Sequence, residues 1–341
     1  MTPHLPEIER PMENSEYWLG FDLGASKMMA VVFDSSFKVR GRRRKKTKGL
    51  EGRESVTARL VEVIRGALDE AEIDVSQLDG IGIGVPGPVD EERGIVREAV
   101  NLGWKEVPLA DLLENEFGRP VVVLNDVDAG VYGEYRFGAA RGARTALGVF
   151  PGTGIGGGCV YDGEIIHGRS VSCMEIGHVQ VRENGRLCGC GRRGCLETEA
   201  SRLAISAEVA QAAYRGETPH LAASAGTELA KMRSGTLAKA IAAGDTVVED
   251  IVRHAAQMLG IAVANFVLLM APDIVVLGGG LVEEMTNLFV DTVTEVANQR
   301  VMASFVGSFR VVVAELGDDA GALGAAAWVQ KTASRYAKSS L

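Results

Sequence analysis

Positive charge is in short supply in this chain. Lys and Arg total 36 against 45 Asp and Glu, a net charge of −9. Such an acidic chain is a poor partner for nucleic acid or an anionic membrane surface, so neither is expected. Long apolar runs are missing as well. The most apolar stretch, around Met258 to Ala271, reads as too short to span a bilayer and is interrupted by Asn265. The opening MTPHLPEIERPMENSEY is polar and has no apolar signal core. A cytoplasmic location is the resulting expectation. Cysteine is scarce, five in 341 residues, and the odd count argues against a disulfide framework. Heptads, low-complexity segments and short repeats are absent too.

What remains is ordinary soluble composition, 46% hydrophobic and 24% charged, with length enough for two domains. Residues 1–16 read as a loose tail. Two apolar runs, Tyr17 to Asp22 and Met28 to Phe33, flank a polar turn and predict a β-hairpin. Apolar residues at helical spacing mark Ser55 to Glu72 and Leu109 to Phe117. Short strands are expected at Ile81 to Val85, Val121 to Leu124, Ala146 to Phe150 and Ile274 to Leu277. Residues 201–270 read as mostly helical, with one long helix from Thr246 to Met270 stopped by Pro272, and a small-residue helix runs from Ala320 to Val329. Alternating strands and helices predict an α/β fold. A strand followed by a phosphate-like turn occurs twice, near residues 20–27 and 147–158, as a duplicated domain pair around a cleft would require. The basic run Arg40–Lys48 reads as a solvated strand or loop, with a phosphate-attracting patch as the sharper alternative.

The strongest chemical signal is His178-x9-Cys188-x-Cys190-x4-Cys195. One imidazole and three thiolates match a closed tetrahedral zinc site, and four protein ligands leave no open position, so such a metal is structural. Cys159 and Cys173 have no such spacing. Gly152-Thr153-Gly154-Ile155-Gly156-Gly157 follows an apolar strand, where bare backbone can meet an anion. Asp22, Gly24, Ser26 and Lys27 on the first turn suit Mg-nucleotide phosphates. Asp126 follows a buried strand and could accept a hydroxyl proton. Glu175 and His178 are three apart and would share a face of a helical turn. Glu197, two residues past Cys195, could grip sugar hydroxyls.

Together these segments resemble the ROK family of sugar kinases and repressors, within the actin/hexokinase-like superfamily. The resemblance runs from about Trp18 to about Val329. It is carried by GFDLGASK (Gly20–Lys27), GIGVPGPVD (Gly82–Asp90), LNDVDAGVYGE (Leu124–Glu134) and GTGIGGG (Gly152–Gly158). EIGH (Glu175–His178), CGCGRRGCLE (Cys188–Glu197) and VVLGGGL (Val275–Leu281) complete the set.

The resemblance implies two actin/hexokinase-like α/β domains with a ligand cleft and a structural zinc loop. A small domain would span 17–136, joined by the returning helix 320–337, and a large domain 137–319. Asp126 would be the catalytic base. Asn125, Glu175, His178 and Glu197 would hold sugar hydroxyls, with Gly87 and Asn101 lining the pocket and His178 also binding Zn²⁺. The turns at Asp22, Gly24, Ala25, Ser26 and Lys27 and at Gly152, Thr153, Gly154, Gly156 and Gly157 would bind ATP phosphates, Asp22 lying near Mg²⁺. Gly278, Gly279 and Gly280 would lie by the adenosine. The implied activity is ATP-dependent phosphorylation of a hexose 6-hydroxyl, glucose first, with N-acetylglucosamine or N-acetylmannosamine as alternatives and carbohydrate metabolism, glycolysis in particular, as its setting. Polyphosphate as donor is a further alternative, supported only by the basic run.

A sugar-sensing repressor is a distant reading, because family repressors carry a winged helix-turn-helix before the first turn and only about 16 residues precede it here. Homodimers or homotetramers are usual for the family. Two departures stand out: Ala25-Ser26 where Gly-Thr is usual, and Arg202 where Gly is common. The nucleotide loops are expected to lie across the cleft from the sugar carboxylates, so Glu175 and Glu197 should leave ATP affinity alone.

Overall fold

The computed structural model describes residues 17–24, 26–47, 52–169 and 173–339; the tail at 1–16, Ala25 and Lys48 lie outside the described residues. The first half opens with β1 (Tyr17–Leu23), β2 (Lys27–Asp34), β3 (Val39–Lys46) and helix α1 (Arg53–Ala71). It continues through β4 (Leu78–Val85), the small strands β5 (Val89–Asp90), β6 (Ile95–Ala99) and β7 (Trp104–Pro108), α2 (Leu109–Phe117), β8 (Val121–Asn125) and α3 (Asp126–Phe137). The second half has β9 (Thr145–Pro151), β10 (Ile155–Tyr161), β11 (Glu164–Ile165), α4 (Leu196–Ala200), α5 (Arg202–Tyr214), α6 (Pro219–Ala225) and α7 (Ser234–Ala242). It ends with α8 (Thr246–Met270), β12 (Ile274–Leu277), α9 (Gly280–Glu284), α10 (Thr286–Arg300), β13 (Arg310–Val313) and α11 (Ala320–Ser339).

Two five-stranded sheets share one plan. Their orders are β3-β2-β1-β4-β8 and β11-β10-β9-β12-β13. In each, an antiparallel hairpin (β1–β2, β9–β10) is followed by two parallel strands added on its other edge. The strand-and-turn motif seen twice in the sequence is thus the hairpin of a duplicated sheet. Parallel strands end on one edge, so Asp22 pairs with Gly84 and Val85 with Asn125 in the first sheet. Open α/β sheets bind ligands at that carboxyl edge.

The α3 and α11 helices form the layer between the sheets. Leu124, Ala129, Val131 and Tyr132 pack there with Val160, Ala325 and Trp328. Backbones approach so closely that side chains are excluded. A Cβ on Gly82 would lie 2.0 Å from Ala325 O, and one on Gly324 would lie 1.7 Å from Ala129 O. Gly82→Ala is therefore expected to cost about 1–3 kcal/mol or more by overpacking, read as a lower Tm. An unchanged melting curve would count against this close approach.

Three expectations need adjusting. The Ala320–Val329 segment continues as helix to Ser339. The apolar stretch at Met258–Ala271 belongs to α8, whose 25 residues are long and apolar enough to cross a bilayer. Burial, not length, separates it from a membrane span: Val252, Ala256, Leu259, Val263 and Val267 are fully buried in the second domain's core. The basic run forms β3, an edge strand whose cations are largely matched by acids. Arg40 pairs with Asp34, Arg42 with Asp319 and Arg44 with Asp318. Lys45 also pairs with Glu62. The Arg42 and Arg44 pairs fasten the edge to the turn just before α11, as a solvated edge strand would.

Candidate functional site

The β8–α3 junction positions the proposed base. Asn125 caps α3: its Oδ1 accepts from Val127 N at 2.8 Å and Asp128 N at 3.2 Å. Its Nδ2 donates to Gly87 O at 3.1 Å, tying the cap to the turn after β4. Gly87 has φ +94°, and a Cβ there would fall 2.0 Å from Glu98 O, so only glycine fits. Most of the bonding capacity of Asn125 therefore goes to the scaffold. Asn101 is exposed, on the 3₁₀ turn Val100–Leu102.

Asp126 is the first residue of α3. Burial, followed by the Glu175 charge, pushes its carboxyl up to about 6, against a lowering pull from the Val127 N–H. Asp22, at the end of β1, is raised to about 7, first by burial and then by Asp126, against the weaker pull of Lys27. Three carboxylates from three segments thus share one field. Lys27 itself is held by Asp318 at 2.6 Å.

The sequence reading missed two acids of this neighbourhood. Asp128 is buried with neither carboxylate oxygen hydrogen-bonded. Burial, then Glu91, Asp126 and Glu175, drive its carboxyl well above the usual range. Burial and these neighbouring charges disfavour its ionised form. Glu91 is likewise raised, chiefly by burial. Only the Asp126-x-Asp128 spacing at a helix start hinted at this crowding.

The glycine-rich segment divides by position. Gly152, Thr153 and Gly154 form the β9–β10 turn, closed by Gly152 N donating to Gly154 O at 2.8 Å. Gly156 and Gly157 are not turn residues but lie inside β10. Missing side chains there admit Val127 of α3 and the Met174–Ile176 segment. Gly278 follows β12, where a Cβ would strike the Phe150 ring at 2.4 Å. Gly279, at φ +86°, turns the chain beside Pro151 O, and Gly280 begins α9.

Glu175 precedes the 3₁₀ turn Ile176–His178, rather than an α-helical turn. His178, Cys188, Cys190 and Cys195 bring their ligand atoms within 4.8 Å of one another. Cys188 Sγ lies 3.6 Å from His178 Nδ1, and Cys190 Sγ lies 3.6 Å from Cys195 Sγ. Zinc–sulfur bonds of about 2.3 Å in a tetrahedron put sulfurs about 3.8 Å apart, so the donor set fits Zn²⁺. Cys173 instead donates to Ile166 O, and Cys159 is buried.

Glu197 lies in the first turn of α4, directly after this loop. Its Oε2 accepts from Ile155 N at 3.2 Å, at the edge of the glycine turn. A Cβ on Gly154 would meet the same oxygen at 2.3 Å. Glu197 is expected across the cleft from the glycine-rich turns; its carboxylate instead touches the β9–β10 turn, because α4, which directly follows Cys195, lies against it.

Comparison with known proteins places these features in context. The ROK family profile matches residues 18–332. A glucokinase of Thermotoga maritima is 35% identical, over 92% of this chain and 97% of its own. The xylose repressor of Caldicellulosiruptor bescii is 30% identical, over 91% of this chain and 77% of its own. The structure of a Streptomyces griseus ROK glucokinase with glucose and AMPPNP superposes with TM-score 0.80 at 30% identity, covering 92% of this chain and 99% of that one.

Proposed function

The chain belongs to the ROK family, and on that footing we propose that it is a glucokinase, transferring the terminal phosphoryl group of ATP to the 6-hydroxyl of glucose. One observation carries the reading: Asp126 shares its electrostatic field with Asp22 on one side and Glu175 on the other. That joins a base, a carboxylate suited to Mg²⁺ and a carboxylate suited to sugar hydroxyls in one cluster, with Asp22 and Asp126 half-buried and Glu175 exposed. The lobes are residues 17–136 with helix 320–337, and residues 137–319.

In this reading Asp126 takes the 6-hydroxyl proton as the oxygen attacks the γ-phosphorus. A carboxyl near 6 is ionised at neutral pH yet basic enough to accept that proton. The turn at Gly152–Gly154 and the turn after β1 cradle the phosphates with backbone N–H groups. Asp22 and Asp126 press on each other without a full counter-charge, which is the donor chemistry a divalent cation fits. Bound there, Mg²⁺ neutralises charge developing on the transferred phosphate. Zn²⁺ on His178, Cys188, Cys190 and Cys195 is structural: with four protein donors it leaves no place for a reactant. Glu175, His178 and Glu197 hold the sugar, with Gly87, Asn101 and Asn125 shaping the pocket. We further assign the enzyme to the cytoplasm and to the entry of glucose into glycolysis, as a homodimer or homotetramer.

The test is kcat/KM across glucose, N-acetylglucosamine and N-acetylmannosamine with ATP as donor. Glucose should lead. Preference for an N-acetylated sugar would transfer the reading to that kinase class, and glucose binding without turnover would favour the repressor class.

Glu175→Gln should weaken glucose binding by about tenfold to a hundredfold, since a charged acceptor bond is worth roughly 1.5–3 kcal/mol. Calorimetric titration beside a melting curve checks it. An unchanged glucose Kd in the folded variant would end the role for Glu175. Glu197→Gln should weaken both sugar and ATP, because the Ile155 N–H at the nucleotide turn leans on the same carboxylate.

A further inference from the structure

Arg202 starts α5 immediately after its cap Ser201. Two bonds fasten it to the second phosphate turn. Its backbone N donates to Gly152 O at 2.8 Å, and its Nη2 donates to Thr153 Oγ1 at 2.8 Å. Glu197, five residues earlier, holds the other end of the same turn through Ile155 N. The 197–202 segment therefore clasps the turn from both sides.

The charge is the telling feature. Lys27 and Arg44, the cations beside the first turn, both pair with Asp318. Arg202 bonds a neutral hydroxyl instead, and among the described residues it forms no ion pair. A guanidinium has five N–H donors in a planar fork that matches phosphate oxygens. With Thr153 orienting one of them, the rest of the fork is free to meet an anion at the turn. The groups that act on Asp126 and Asp22 include the carboxylates of Glu175 and Asp318, so an unneutralised cation at the second turn is where negative phosphate would be drawn.

We propose that Arg202 is a phosphate-contacting residue of the donor site, its guanidinium pairing with the terminal phosphate of ATP while Thr153 orients it. The inference rests on the reading of Gly152–Gly154 as a nucleotide loop. A lysine at this place would supply a point charge without the fork, and a glycine would supply neither.

Three variants separate charge from clasp. Arg202→Gln retains a side-chain donor for Thr153 but no charge, Arg202→Lys retains the charge, and Arg202→Gly removes both. Arg202→Gln should raise the KM for ATP by about tenfold to a hundredfold, the range for one charged hydrogen bond. Arg202→Lys should recover part of that loss, and KM for glucose should change less than about twofold. Calorimetric titration should show ADP affinity almost unaffected in Arg202→Gln, because ADP lacks the terminal phosphate. Equal losses of ATP and ADP affinity would overturn the assignment to that phosphate. Wild-type ATP affinity and kcat in Arg202→Gln would overturn the phosphate contact altogether and leave Arg202 as a clasp. Failure of the wild-type protein to use ATP would instead defeat the donor reading beneath it, so the two failures are told apart.

Discussion

Asp126→Asn is expected to lower kcat by on the order of 10²–10⁴-fold, the range for loss of a positioned general base. The amide keeps the size of the side chain and its bond from Val127 N, so the β8–α3 junction should survive. Glucose affinity, measured by calorimetry, should stay within a fewfold of wild type. Near-normal kcat would place the base elsewhere. The wild-type pH profile carries a linked signature. Asp126 must be ionised to act, and its carboxyl lies at about 6 rather than near 4. The acid limb of kcat/KM should therefore fall as pH drops through about 6. For stability the sign is the reverse of a salt-bridged carboxylate. Below the ordinary value of 3.8 both folded and unfolded chains hold the proton, and nothing is at stake. Above about 6 the fold carries an ion that burial and Glu175 disfavour. Asp126→Asn should therefore raise Tm at pH 7.5, and the gain should vanish in acid. A variant that is less stable at pH 7.5 than wild type would contradict that electrostatic account.

The second large effect is expected from the metal loop. Purified protein should contain about one equivalent of zinc per chain, and active protein without zinc would remove the assignment. Cys190→Ala leaves three donors of the four and should loosen the chain from Val179 to Cys195. Two consequences should appear together. Stability falls, because binding free energy at a structural zinc site is folding free energy. Substrate recognition falls as well, because α4 and the start of α5 follow the loop directly. Glu197 is two residues from Cys195, and Arg202 is seven. Both contact the β9–β10 turn, so KM should rise for ATP as well as for glucose, each by about tenfold or more if one charged contact is lost. A variant with normal Tm and normal KM values would show that these four residues do not organise the site.

Residue type and spacing in the sequence were enough to place the α/β alternation, the long helix Thr246–Met270 and the strand Ile274–Leu277, because apolar periodicity and a stopping proline are local signals. The donor set His178, Cys188, Cys190 and Cys195 was equally legible, since metal chemistry demands those side chains at short range whatever surrounds them. Tertiary structure decided the rest. Whether α8 is a membrane-length or a core helix depends on what covers it. Whether a glycine lines a phosphate or admits a neighbour depends on partners far along the chain: Gly156 and Gly157 were read as loop residues, yet they make room for Val127 and Ile176. The carboxyl shifts of Asp22, Asp126 and Asp128 arise from burial and from charges brought together across four segments, which no spacing encodes. Arg202 gains its meaning the same way. As a sequence position it is only a departure from glycine; folded, its Nη2 stands 2.8 Å from Thr153 Oγ1, forty-nine residues away, because the segment after Cys195 returns the chain to the β9–β10 turn.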